Sequence, residues 1–219
     1  MSGITQLKLT EIFYSLQGES NTAGLPTVFI RLTGCPLRCQ YCDTEYAFTG
    51  GENWTLEAIV NEIKKYNTSY VTVTGGEPLA QKNCIELLRR LCDEGYVVSL
   101  ETSGALDISK VDDRVSKVMD VKTPGSNEAT KNRWQNLSLL TAKDQLKFVI
   151  TSREDYDWTK QKLAEYQLTA SDSNVEVFLS PAKDQCDATD LANWILADQL
   201  KVRLQLQLHK ILWGDVAGK

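Results

Sequence analysis

An α/β fold, built as an incomplete TIM-like βα barrel, is predicted by three features of the 219-residue chain. Short β-branched runs recur along it, amphipathic segments of helical period separate most of them, and polar or glycine-bearing signatures fall at the carboxyl ends of the runs. Such alternation implies a parallel sheet, because parallel neighbours need a long crossover between them. An open doubly wound sheet would alternate in the same way. The length falls short of the roughly 250 residues of an eightfold barrel, so an incomplete barrel in a single domain spanning 1–219 is the expectation.

Taken in order, strands are read at 27–33, 70–74, 97–101, 118–122, 146–151, 175–180 and 202–209. Helices are read at 56–66, 81–94, 155–166 and 189–200. Thr55 and Asp187 suit N-caps, and Gly95 suits the C-terminal end of the second helix. Cys84 and Cys92 fall among Ile85, Leu88 and Leu91 at helical spacing and read as core packing, whereas Cys186 sits in a polar run with no ligand-type neighbours. The stretch 202–209 alternates strictly, so Gln207 and His209 are expected to share one strand face.

A net charge of -5 and a pI near 5.1 leave no broad basic field, which argues against a nucleic-acid scaffold, a local basic patch aside, and favours a small substrate. Residues 1–15 lack the apolar core and cleavage site of a leader, and no stretch approaches the roughly 18 apolar residues of a membrane span. A cytoplasmic protein without a membrane partner is expected. Six cysteines are too few and too uneven for a disulfide framework, and three crowd into 35–42.

Cys35, Cys39 and Cys42 form the run C-x3-C-x2-C, which can supply three thiolates to a 4Fe-4S cluster and leave one iron open. Pro36 stiffens the loop and Arg38 brings positive charge to an anionic cluster. The rival is structural zinc, which takes four protein ligands. The local count stops at three, although His209, the only histidine, could complete such a site from the far end of the chain.

The cysteine spacing, with Tyr41 before the third cysteine, resembles the signature of the radical S-adenosylmethionine superfamily. Thr74-Gly-Gly-Glu-Pro78 resembles its GGEP motif, and Glu101-Thr-Ser-Gly104 a segment near the cofactor. More narrowly, the run from Phe13 to Glu19, Phe29-Ile-Arg-Leu32 and Cys42-Asp-Thr44 are similar to the 7-carboxy-7-deazaguanine synthase family over nearly the whole chain. That resemblance implies a partial barrel and an Mg2+-dependent ring contraction of 6-carboxy-5,6,7,8-tetrahydropterin to 7-carboxy-7-deazaguanine. Ammonia is lost, adenosylmethionine is regenerated, and the cofactors rather than any side chain carry the radical chemistry.

It further implies that Cys35, Cys39 and Cys42 hold the cluster and that Thr44 binds Mg2+. Leu16, Gln17, Gly18 and Glu19 would meet the substrate, Arg31 would pair with its carboxylate, and Thr74 and His209 would line its pocket. Tyr41, Cys42, Asp43, Gly76 and Glu77 would serve adenosylmethionine, as would Glu101 and Ser103. Asp120, Val121 and Lys122 stand where many family members have Ser-Pro-Lys, and Leu179, Ser180, Pro181 and Ala182 resemble a late cofactor loop. An external electron donor such as flavodoxin or ferredoxin, and a homodimer, complete what the family implies. A glycyl-radical activase shares the cysteine run but lacks the Leu-Gln-Gly-Glu turn, and a plain iron–sulfur carrier leaves the GGEP-like strand end unexplained.

Overall fold

A computed structural model describes residues 5–170, 175–214, 216 and 218. It contains strands β1 (Gln6–Leu16), β2 (Pro26–Leu32) and β3 (Glu52–Thr55), then helix α1 (Leu56–Ile63), β4 (Tyr70–Gly75) and α2 (Cys84–Asp93). There follow β5 (Val97–Thr102), β6 (Ser116–Val121), β7 (Gln145–Ile150), α3 (Arg153–Glu165), β8 (Glu176–Pro181), α4 (Ala188–Ala197), β9 (Arg203–Leu204) and α5 (Leu208–Trp213). The strands join one sheet in the order β3-β1-β2-β4-β5-β6-β7-β8-β9.

From β2 to β9 the strands are parallel and each new one is added on the same side of the last. A doubly wound sheet reverses its strand order at a switch point, and this one does not. Among the described residues β3 and β9 are left as separate edges, so the barrel is partial. The antiparallel β1–β2 pair and β3 extend it on one side.

Pleat alternation divides every parallel strand between two environments. Val28, Ile30, Leu32, Val71, Val73, Leu100, Leu146 and Phe148 are buried against the helical layer, together with Ile59, Leu87 and Leu163 from α1, α2 and α3. Their neighbours of opposite parity, including Arg31, Thr74, Glu101, Asp120 and Lys147, line an open cleft on the inner side. The helical layer therefore supplies the apolar burial, and the inner face is left for polar chemistry.

The four long helices form where expected. Thr55 accepts from Ala58 N at 3.1 Å and Asp187 accepts from Thr189 N at 2.8 Å, as N-caps do. Gly95, at φ 88°, turns the chain out of α2 in the left-handed region.

Three elements differ from expectation. β1 and β3 flank the barrel on one side unforeseen, since β1 mixes Lys8, Thr10 and Glu11 with its apolar residues and β3 is only four residues long. The alternating run 202–209 holds just two strand residues, because Leu204 and Leu206 face solvent at 38% and 42% exposure. The chain then turns into α5 at Gln207, so Gln207 and His209 do not share a strand face, although both still line the cleft.

Candidate active site

The cleft, about 740 Å3 in volume, opens at the carboxyl ends of the parallel strands. Cys35, Cys39 and Cys42 lie together along its wall in the loop after β2, each half-buried and outside any disulfide. Burial raises all three thiols, Cys39 to about 11. Among the described residues, no three His, Cys, Asp or Glu side chains converge as a mononuclear ion requires. Three free thiols along one wall of the cleft can supply three of the four corners of a 4Fe-4S cluster.

The cysteine loop is braced along its length. The Arg38 guanidinium donates to the Cys35 and Leu37 carbonyls at 2.8 and 2.6 Å and lies 4.3 Å from the Phe48 ring centroid. Gln40 N donates to Ser126 O at 3.1 Å, which ties the loop to the segment after β6. At the end of β4, a Cβ on Gly76 would stand 2.6 Å from Cys35 Cβ and 2.5 Å from Gly34 O. Gly76 thus allows the strand end to approach the cysteine loop as well as the cleft.

Glu77 departs from its expected role. It is fully buried, lies outside the cleft lining, and accepts from Leu79 N, Ser103 N, Ser103 Oγ and Thr102 Oγ1 at 2.5–3.0 Å. Its carboxylate joins the ends of β4 and β5 and is not presented to a cofactor. Val121 and Leu179 also correct the expectation: both sit at the parity that faces the helices, are buried in the apolar core and do not line the cleft. Asp120, Lys122, Ser180, Pro181 and Ala182 do line it, as do Tyr41, Asp43, Glu101 and Ser103.

Lys147 is a cleft residue that sequence reasoning missed. Its ammonium lies 2.5 Å from Glu19 Oε2 and 3.9 Å from Asp120 Oδ2, and Lys122 Nζ lies 3.1 Å from the same Asp120 oxygen. Burial opposes the charge on Lys147, but Glu19 and Asp120 outweigh it and hold its pKa above the usual lysine range. Burial likewise works against an ionised Glu19, and Lys147 overcomes it, so that carboxyl titrates below its ordinary value.

Glu101 shows the opposite balance. Burial, reinforced by the nearby Glu19 and Asp120, raises its carboxyl to about 7 against the partial relief given by Lys147. Its native pKa thus exceeds the unfolded value near 4.5, and the folded protein holds a proton that the unfolded chain releases. Stability from this group is greatest at low pH and declines as pH rises across that window. Glu101→Gln is therefore expected to gain on the wild type by on the order of 1–2 kcal/mol between about pH 5 and 8. Denaturant unfolding of both proteins checks this, and parallel stability curves would remove the shift.

The turn after β1 closes the other side. Gln17 Nε2 donates to Thr72 Oγ1 at 3.1 Å, and Gln17 Oε1 accepts from Glu19 N at 3.3 Å, so its side chain is committed to building the turn. A Cβ on Gly18 would collide with the His209 imidazole, and Gly18 O accepts from Leu208 N at 2.9 Å. Burial lowers the His209 pKa, with Glu19 and Asp43 acting in the other direction. Lys210 pairs with Asp43 at 2.7 Å and fastens α5 to the cysteine loop. Burial raises the Asp43 carboxyl, but Lys210 and the Thr44 hydroxyl, which donates to Asp43 Oδ1 at 2.9 Å, prevail and hold it well below the carboxylate range. Leu16, Thr74 and Thr44 line the cleft, as does Arg31, whose Nε donates to Glu11 Oε1 at 2.7 Å.

A partial barrel with a three-cysteine loop after its first parallel strand and a glycine-rich end on its second defines a radical S-adenosylmethionine enzyme. The model of the Radical SAM superfamily matches residues 29–167. Two solved structures share the fold: QueE from Escherichia coli (TM-score 0.76, 24% identity, 93% of this chain and 95% of that one) and Streptococcus suis SuiB bound to S-adenosylmethionine (TM-score 0.52, 17% identity, 80% and 44%).

Two curated 7-carboxy-7-deazaguanine synthases narrow the class. That of Koribacter versatilis is 42% identical over 94% of this chain and 97% of its own, and that of Chlorobaculum tepidum is 41% identical over 99% of each. The chain belongs to the 7-carboxy-7-deazaguanine synthase family, and its cofactors are accordingly a 4Fe-4S cluster and S-adenosylmethionine.

Proposed function

We propose that the chain converts 6-carboxy-5,6,7,8-tetrahydropterin to 7-carboxy-7-deazaguanine with loss of ammonia, regenerating adenosylmethionine and using Mg2+. The reading rests on one observation above all: a single cleft brings the three cluster thiols within reach of an inner face bearing Arg31, Glu19, Glu101, Asp120 and Lys147. Near-full-length relatives that carry the synthase name support it. The cleft volume suits a nucleoside cofactor beside a bicyclic substrate.

A cluster and adenosylmethionine held here would supply one-electron radical chemistry directed at C6 of the pterin. The protein's share is to position and to exclude water. Cys35, Cys39 and Cys42 would hold the cluster, on a loop whose path is fixed by Arg38 and by the close approach of Gly76. Arg31 commits one of its five donors to Glu11 and directs others to the substrate carboxylate. Glu19 receives N–H groups of the pterin beside the turn of Gln17 and Gly18, whose carbonyls are spent on Gly24 N and Leu208 N, and α5 closes over this turn through Gly18 and Asp43. Glu101, whose carboxyl burial raises to about 7, can donate as well as accept a hydrogen bond there when it carries its proton. Ser180, whose buried Oγ has no partner among the described residues, together with Asp120 and Lys122 serves the cofactor side.

Thr44 gives its hydroxyl hydrogen to Asp43 and so keeps lone pairs for a cation, consistent with Mg2+ held by one protein oxygen, substrate and water. Removing Mg2+, or making Thr44→Val, is expected to slow turnover by ~10-fold or more while leaving adenosylmethionine binding intact. Steady-state rates with and without the metal check this, and indifference to Mg2+ takes Thr44 out of the site. Electrons would come from an external one-electron donor such as flavodoxin or ferredoxin, and the working form would be a homodimer. No helix among the described residues is long and apolar enough to cross a membrane.

The test is anaerobic incubation of the cluster-loaded protein with the carboxytetrahydropterin, adenosylmethionine and a reductant. Formation of 7-carboxy-7-deazaguanine with one ammonia per product is expected. A filled cluster that yields no deazaguanine defeats the assignment.

A further inference from the structure

We propose that Lys147 is a positioning residue of the substrate site: wedged between Glu19 and Asp120, its ammonium holds the Glu19 carboxylate with one oxygen on the lysine and the other kept for the N–H groups of the pterin. The inference rests on the pterin reading above and adds to it a residue that acts through another.

Three observations carry it. Lys147 comes from β7, at the parity of the inner face, with Asp120 as its register partner on β6. It is 8% exposed, and a buried ammonium persists only where partners compensate its lost hydration. Glu19 Oε2 lies 2.5 Å from it, while Glu19 Oε1 is buried and completes no well-formed hydrogen bond among the described residues, although the Gln207 side chain approaches the carboxylate. Asp120 repeats the pattern, with Oδ2 toward the lysines and Oδ1 buried and unpartnered. Buried carboxylate oxygens rarely stay unpaired, so these two call for donors from a ligand. A reduced pterin presents N–H groups along both of its rings, which are donors of the kind Glu19 Oε1 requires.

The charges facing this pair come from every side of the cleft. Glu101 approaches from β5, Asp120 from β6, Asp43 from the cysteine loop, and His209 with Lys210 from α5. All three of these acidic groups oppose an ionised Glu19 or compete for the lysine, and Lys210 is spent on Asp43. Lys147 is the cation in direct contact with Glu19. Without it, burial dominates, and Glu19 becomes a protonated acid at a higher pH.

The test is calorimetric titration of 6-carboxy-5,6,7,8-tetrahydropterin into cluster-loaded enzyme with adenosylmethionine and no reductant, across about pH 5 to 8. Lys147→Met is expected to weaken binding by ~100-fold at neutral pH, and its affinity should fall away at a higher pH than that of the wild type. Lys147→Arg keeps the charge and should stay within ~10-fold, with the acid limb unmoved. In a Glu19→Gln background, adding Lys147→Met should cost little more, because the two act as one unit. That comparison also holds if Lys147→Met alone fails to fold, since the double variant removes both charges together. Wild-type affinity and pH dependence in Lys147→Met, or a further ~100-fold loss on top of Glu19→Gln, would overturn the proposal. Wild-type protein that binds the pterin yet makes no deazaguanine contradicts the functional reading alone; turnover in the wild type with an indifferent Lys147→Met contradicts the lysine alone.

Discussion

Cys39→Ala is expected to abolish both cluster loading and product formation. The three thiols share one loop along the cleft wall, and each would bind a separate iron, so losing one leaves an iron without its protein ligand. Even the loss of a group outside the coordination sphere costs ~10–100-fold in metal affinity or activity. Loss of a direct thiolate should exceed that, and activity should fall below detection. Iron and sulfide analysis with visible absorbance checks the cluster, and product assay checks the rest. The fold should survive, because Cys39 belongs to the cleft wall and not to the core behind the sheet. A Cys39→Ala protein with full iron content and wild-type rate would reject the three-thiolate site.

The second large effect is expected at Glu77, and it is first an effect on stability. Glu77→Ala leaves the N–H groups of Leu79 and Ser103 and the hydroxyls of Ser103 and Thr102 without their shared acceptor in a fully buried position. Each buried unsatisfied group costs about 1–3 kcal/mol, and the hydroxyls can partly reorient, so a loss of about 3 kcal/mol or more is expected. For a chain of this size that lowers Tm by roughly 6–12 °C. Activity should fall as well, since Gly76 and Ser103 are placed on the cleft by the strand ends that Glu77 joins. Thermal unfolding of the variant measures the effect. A change within ~0.5 kcal/mol would mean that the carboxylate does not hold β4 to β5.

The alternation of β-branched and amphipathic segments made the parallel barrel legible, because crossover helices and buried strands impose those periods on the sequence. The helix caps at Thr55 and Asp187 were legible for a local reason, the side-chain acceptor three residues or fewer before the donor it satisfies. The strand β1 was hidden because its solvent-facing parity interrupts the apolar run. The end of the chain misled in the other direction: strict alternation from Arg203 to His209 looks like a strand, yet Leu204 and Leu206 find no second layer to bury them, and hydrogen bonding passes to α5.

The site divides along the same line. Motif residues on the cysteine loop, the turn after β1 and most strand ends do meet in one cleft. Val121 and Leu179 do not, and pleat parity explains both, since each directly follows or precedes an inner-face residue, Asp120 or Ser180. Parity also exposes the missed residue. Lys147 lies between Leu146 and Phe148 in a covered strand, the same anomaly that marks Arg31 between Ile30 and Leu32. What no local pattern reveals is pairing across the chain: Glu19 and Lys147 are 128 residues apart, and Asp43 and Lys210 are 167 apart.

The proposed reaction requires a reversible hydrogen transfer between adenosylmethionine and the pterin carbon that bears the carboxylate. Turnover of 6-carboxytetrahydropterin deuterated at C6, followed by mass spectrometry of the recovered adenosylmethionine, tests it most directly. Deuterium in the recovered cofactor is expected together with deazaguanine product. Unlabelled adenosylmethionine alongside full product formation would contradict it.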